Sequence, residues 1–198
     1  MRIASVIINA FIFVTTFVIA LSHFRKDGAW DIRGGLGQFR YFTVLSNDFC
    51  AVVALVMAVS QLAGNVPWVV FWLKYLGTAA LTLTFLTVFA FLAPFKGGYK
   101  QWLSGDNFFA HLVTPVLAIL SFCLLERRRM SFGTALTGLL PVLAYGAVYF
   151  YKVMLAPRDK RWEDFYGFNT NGKWMISCGA MLVATLLICV LYWRICAI

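Results

Sequence analysis

The chain has 198 residues, of which 62% are hydrophobic and 13% charged, and a formal net charge of +9. This composition excludes a disordered chain and an ordinary soluble domain. The positive charge lies in short loops between apolar runs, where anionic lipid headgroups are the natural partner. No nucleic-acid-binding module is present in the sequence.

Apolar runs of about 20 residues recur along the chain, which is the length a transmembrane helix needs. They predict an all-α polytopic membrane protein, with six transmembrane helices in one bundle and a single domain over 1–198. The five cysteines, Cys50, Cys123, Cys178, Cys189 and Cys196, all fall in apolar segments with no C-x-x-C pair. They read as small buried apolar groups rather than disulfides or zinc ligands. No P-loop, dinucleotide fingerprint, G-x-S-x-G or H-E-x-x-H occurs, so neither a cofactor nor a metal is expected. Nothing in the sequence sets an oligomeric state.

The first predicted span covers Ile3 to Ser22 and reads as retained, being too long for a signal peptide. A loop to Phe39 follows, punctuated by Gly34, Gly35 and Gly37. The second span runs from Arg40 to Ala63. The tight turn Gly64-Asn65-Val66-Pro67 makes it an antiparallel neighbour of the third span, Trp68 to Phe95. Lys74 in the third span is expected to snorkel or to pair. The fourth span runs from Asn107 to Leu125 and contains His111 and Pro115. The turn Glu126-Arg127-Arg128-Arg129 is expected at the headgroups. The fifth span, Ser131 to Ala156, carries Pro141 and should kink there. The most polar loop, Pro157 to Gly172, leads into the sixth span, Lys173 to Trp193. Most Lys and Arg residues lie in the loops after spans one, three and five, but the densest basic cluster lies on the other face. Charge therefore leaves the orientation open.

The start of the second span stands out. Residues one turn apart share a helix face, so Thr43, Ser46, Asn47 and Cys50 predict a polar stripe. Asp48 reads as the only acidic residue inside an apolar segment, pointing away from that stripe. Polar groups at such depth are costly unless paired or used. Parity brings spans two, four and six into the membrane from the same face. Thr43 and His111 each lie about one turn inside, roughly 5–8 Å past the loop boundary at ~1.5 Å per residue. A histidine near a helix start favours neutral imidazole, the form a general base needs. Such a base can activate a threonine hydroxyl as it would a serine. Asn47 and Asn107 lie one turn from Thr43 and His111, where either amide can orient the base or donate to an oxyanion. The bland alternative is that His111 bonds a carbonyl and bridges helices.

Tyr41-Phe42-Thr43 followed by Ser46-Asn47, together with Asn107-x-x-x-His111 followed by Pro115, resembles two signatures of a family of six-pass membrane proteins. These are the androgen-induced and androgen-dependent proteins that hydrolyse fatty acid esters of hydroxy fatty acids, and their bacterial relatives. The resemblance implies a threonine nucleophile at Thr43, a histidine partner at His111 and a lipid or fatty acyl ester substrate taken from the bilayer. The loop Trp162 to Phe168 also resembles the family's penultimate loop, so Trp162, Asp164 and Tyr166 become lid or entrance candidates. The histidine-to-proline spacing is closer to the bacterial relatives, and the residues between Thr43 and Asp48 depart from the animal pattern. Two other functions fit the sequence: a transporter or proton-coupled permease centred on Asp48, paired with Lys74 or Lys152, and a non-enzymatic scaffold.

Overall fold

A computed structural model describes residues 2–197; Met1 and Ile198 lie outside the described residues. The molecule is an all-α polytopic bundle. Six of its helices are long and apolar enough to cross a membrane: Arg2–His23, Phe42–Leu62, Trp68–Phe95, Asp106–Glu126, Phe132–Leu155 and Trp174–Ala197. Helix is the form this composition demands. A chain in lipid must satisfy its backbone N–H and C=O groups within each segment.

The third span is the axis of the bundle. Two-thirds of its apolar window is buried, against 17% for the fifth and sixth, and Lys74 to Thr84 is buried without interruption. Small residues allow this close approach. A Cβ on Gly77 would lie 3.3 Å from the Cys50 Cα of the second span. Toward the Arg127–Arg129 face, Phe71, Tyr75, Phe122 and Tyr192 interlock in stacked and edge-to-face pairs and tie spans three, four and six together. Nearer mid-membrane, Ile12, Cys50, Ala54, Leu81 and Ala118 form a separate dry cluster.

Three prolines leave visible marks. A proline has no N–H and crowds the carbonyl four residues earlier. Pro115 therefore cannot close a turn on His111, and Phe109–Val113 widens into a π turn in which the Thr114 N–H bonds the Phe109 carbonyl. Pro94 has the same effect over Val88–Leu92. At Pro141 the preceding turn, Thr137–Leu139, tightens instead into a 3-10 helix.

The structure departs from the sequence-based expectations at three places. The loop after the first span is ordered: a hairpin pairs Arg25–Lys26 with Ala29–Trp30, and a short helix spans Ile32–Gln38. Its Gly35 serves packing rather than chain breaking, because a Cβ there would lie 2.2 Å from the Phe24 ring. Glu126 is not a turn residue. It is the last residue of the fourth span and is buried, so Asp48 is not the only acidic group within the helices. Of the two expectations for Lys74, pairing holds and snorkelling does not, but the partner is Glu126 rather than Asp48: the ammonium lies 3.7 Å from the Glu126 carboxylate. Lys152 instead lies over the Trp162 ring, 5.9 Å from its centroid.

Candidate functional site

Parity places the end of the first span and the starts of the second and fourth on one face, and a cavity of about 410 Å³ opens between them. His23 lines it at that face and Thr16 lines it seven residues deeper, a depth of about 10 Å along a helix. Thr43, Val44, Asn47 and Asp48 line the second-span wall. Asn107, Ala110 and His111 line the fourth-span wall, and Trp102, Phe165 and Tyr166 come in from loops. Thr43 and His111 therefore meet the same space.

His111 is 4% exposed, and its Nδ1 lies 2.9 Å from the Trp102 carbonyl oxygen. A carbonyl only accepts, so Nδ1 carries the proton. In the neutral imidazole Nε2 then keeps its lone pair, the arrangement a general base needs. The orienting group is thus a backbone carbonyl at the end of the short helix Gly98–Trp102, rather than Asn47 or Asn107. Sequence reasoning missed it because a carbonyl has no side-chain signature. The Trp102 indole N–H is itself anchored on the Lys96 carbonyl.

Asn47 has a different task from the one expected. Its amide donates to the Thr43 carbonyl at 2.8 Å and to the Ala110 carbonyl at 3.1 Å. Both partners are acceptors, so the amide nitrogen must face them and is not free for an oxyanion. Asn47 instead ties the Thr43 turn to Ala110, the residue beside His111, and its Oδ1 is left without a partner. The exposed Asn107 amide lines the cavity and remains the side-chain donor available there. The stripe also divides. Thr43 and Asn47 face the cavity together with Asp48, whereas Ser46 and Cys50 face the third span, with Ser46 Oγ 3.1 Å from Thr84 Oγ1. Asp48 does not point away from the site.

Of the three lid candidates, only Tyr166 reaches the cavity. Its hydroxyl accepts the Phe42 N–H at 2.9 Å, one of the donors left free at a helix start. The Thr43 and Tyr145 side chains are its next polar neighbours. Burial raises the Tyr166 phenol above its usual pKa, so the group stays protonated and can donate. Asp164 organises the loop instead. Its carboxylate accepts the backbone N–H of Phe168 and of Asn169 at 2.7 Å each, and the Tyr149 hydroxyl at 2.9 Å. Trp162 packs near Phe165 and Tyr149. These two residues hold Phe165 and Tyr166 over the site without touching it. No group of three or more potential metal ligands occurs among the described residues.

Comparison with protein-family models, with curated proteins and with solved structures finds no match to this chain.

Proposed function

We propose that the protein is an intramembrane lipid ester hydrolase with Thr43 as nucleophile and His111 as base. The observation that supports this most is that both residues line one cavity while the Trp102 carbonyl accepts from His111 Nδ1, leaving Nε2 as the basic nitrogen of the neutral ring. The resemblance of the Thr43 and His111 motifs to the six-pass ester hydrolases supports the same chemistry.

In the proposed reaction an acyl chain lies along the apolar walls, with its ester at the depth of Thr43. His111 Nε2 takes the Thr43 hydroxyl proton as Oγ1 attacks the carbonyl. Asn107 and the Tyr166 hydroxyl are the available donors to the oxyanion. Collapse breaks the ester C–O bond, the leaving alkoxide takes the proton from His111, and an acyl-threonine remains. Water entering from the loop face then gives its proton to His111 and attacks the acyl group, returning Thr43 and a fatty acid. Thr16 Oγ1 and Asn47 Oδ1, both buried without partners, are polar points at which such a water can be held.

Turnover of a fluorogenic long-chain ester by purified protein tests this. Thr43→Ala and His111→Ala are each expected to lower kcat by about 10³-fold or more, the scale of losing a nucleophile or its base, while Thr43→Ser keeps measurable turnover. Undiminished turnover by Thr43→Ala would refute the assignment.

A further inference from the structure

On the opposite face, a second polar system is built around Glu126. Its Oε1 accepts from Ser5 Oγ at 2.5 Å, from Ser121 Oγ at 2.6 Å and from the Asn9 amide. Lys74 donates to Asn9 Oδ1 at 2.5 Å, which fixes the orientation of that amide. Ser5 has a single proton and spends it on Glu126, so its oxygen must accept the Gln61 N–H, at 2.8 Å. That turns Gln61 Oε1 outward. Glu126 Oε2 faces the Lys74 ammonium at 3.7 Å, which leaves Gln61 Oε1 as the buried oxygen of this system with no donor nearby. Gln61 and Glu126 are 8% and 7% exposed.

Both residues line a cavity of about 270 Å³ that also meets Arg2, Arg127 and Arg128. These elements lie at the loop boundary, the level of lipid headgroups. Arg2 and Arg128 are held in place by the Leu62 and Val66 carbonyls at 2.7 and 2.8 Å, and each has further N–H groups to give. The cavity therefore asks for two things at once: an anion for the guanidinium groups and a hydroxyl donor for the vacant Gln61 oxygen. Four cationic groups, counting Lys74, surround one carboxylate. That excess disfavours an ammonium headgroup.

We propose that this cavity is a lipid-binding site for an anionic phosphodiester headgroup bearing free hydroxyls, the chemistry of phosphatidylglycerol, with the phosphate at Arg127 and Arg128 and a glycerol hydroxyl at Gln61. Basic recesses between membrane helices commonly hold anionic headgroups; the buried Gln61 acceptor adds selectivity for a hydroxyl. The site lies across the membrane from Thr43 and does not depend on the hydrolase reading.

Native mass spectrometry of the detergent-purified full chain tests it, with dioleoyl phosphatidylglycerol set against phosphatidylethanol, phosphatidylethanolamine and phosphatidylcholine. Phosphatidylethanol has the same charge and no headgroup hydroxyl. Phosphatidylglycerol is expected to bind about tenfold more tightly than the two zwitterionic lipids and about threefold more tightly than phosphatidylethanol. Arg127→Gln/Arg128→Gln should abolish the first preference. Gln61→Leu should abolish only the second, and retained binding of phosphatidylethanol reports that this variant is folded. Thr43→Ala should change neither. Equal binding of phosphatidylglycerol and phosphatidylcholine, or preferences that survive both variants, would overturn the site. Displacement of the lipid by soluble glycerol 3-phosphate would overturn a lipid as its occupant.

Discussion

At the scale of single residues, the molecule shows how a polar group is tolerated inside a membrane helix. Lys74 is fully buried, with Glu126 and Asn9 as partners. Removing one member of such a pair strands the other charge, which costs about 3–5 kcal/mol. Lys74→Met is therefore expected to lower stability by that order in a detergent unfolding assay, and Lys74→Met/Glu126→Gln to recover most of the loss. If the single variant is as stable as the wild type, the Lys74–Glu126 contact contributes nothing to stability. The sequence made Lys74 conspicuous but not its partner, because Glu126 precedes three arginines and reads as one more loop charge. Asn47 poses the converse problem. Its depth was legible, yet its donors are spent on two backbone carbonyls, and backbone partners leave no trace in side-chain spacing. Thr43 and His111 were legible because helix parity alone fixes their common depth.

At the scale of elements, the π turn around His111 links a proline to the site. The bulge follows from the N–H that Pro115 lacks, and such bulges gather at functional positions. Pro115→Ala restores a donor opposite the His111 carbonyl and should tighten the turn, rotating the imidazole away from the Trp102 carbonyl. Ester turnover is expected to fall by about tenfold or more, the sensitivity of catalysis to a displacement of roughly 1 Å, with thermal stability unchanged or raised. Undiminished turnover would show that the wide turn does not position the base. The span boundaries were legible to within a few residues because the length of each apolar run sets them. The ordered hairpin and helix between the first two spans were not. Three glycines in a short polar stretch look like punctuation until Phe24 is seen packed against Gly35.

At the scale of the whole molecule, two polar systems enter the bundle from opposite faces, a cavity that reaches Thr16 and a hydrogen-bonded network that reaches Asn9. Those residues are seven positions apart on the first span, about 10 Å along its axis. Between them, Ile12 with Cys50, Ala54, Leu81 and Ala118 forms the dry cluster. This apolar layer separates the two in the described conformation. The proposed hydrolase requires one thing above all: that Thr43 becomes acylated. Mass-spectrometric mapping after treatment with a long-chain electrophilic ester analogue tests this directly. One adduct is expected, on Thr43, lost in Thr43→Ala and strongly reduced in His111→Ala. An adduct on another residue, or equal modification of the Thr43→Ala protein, would contradict it.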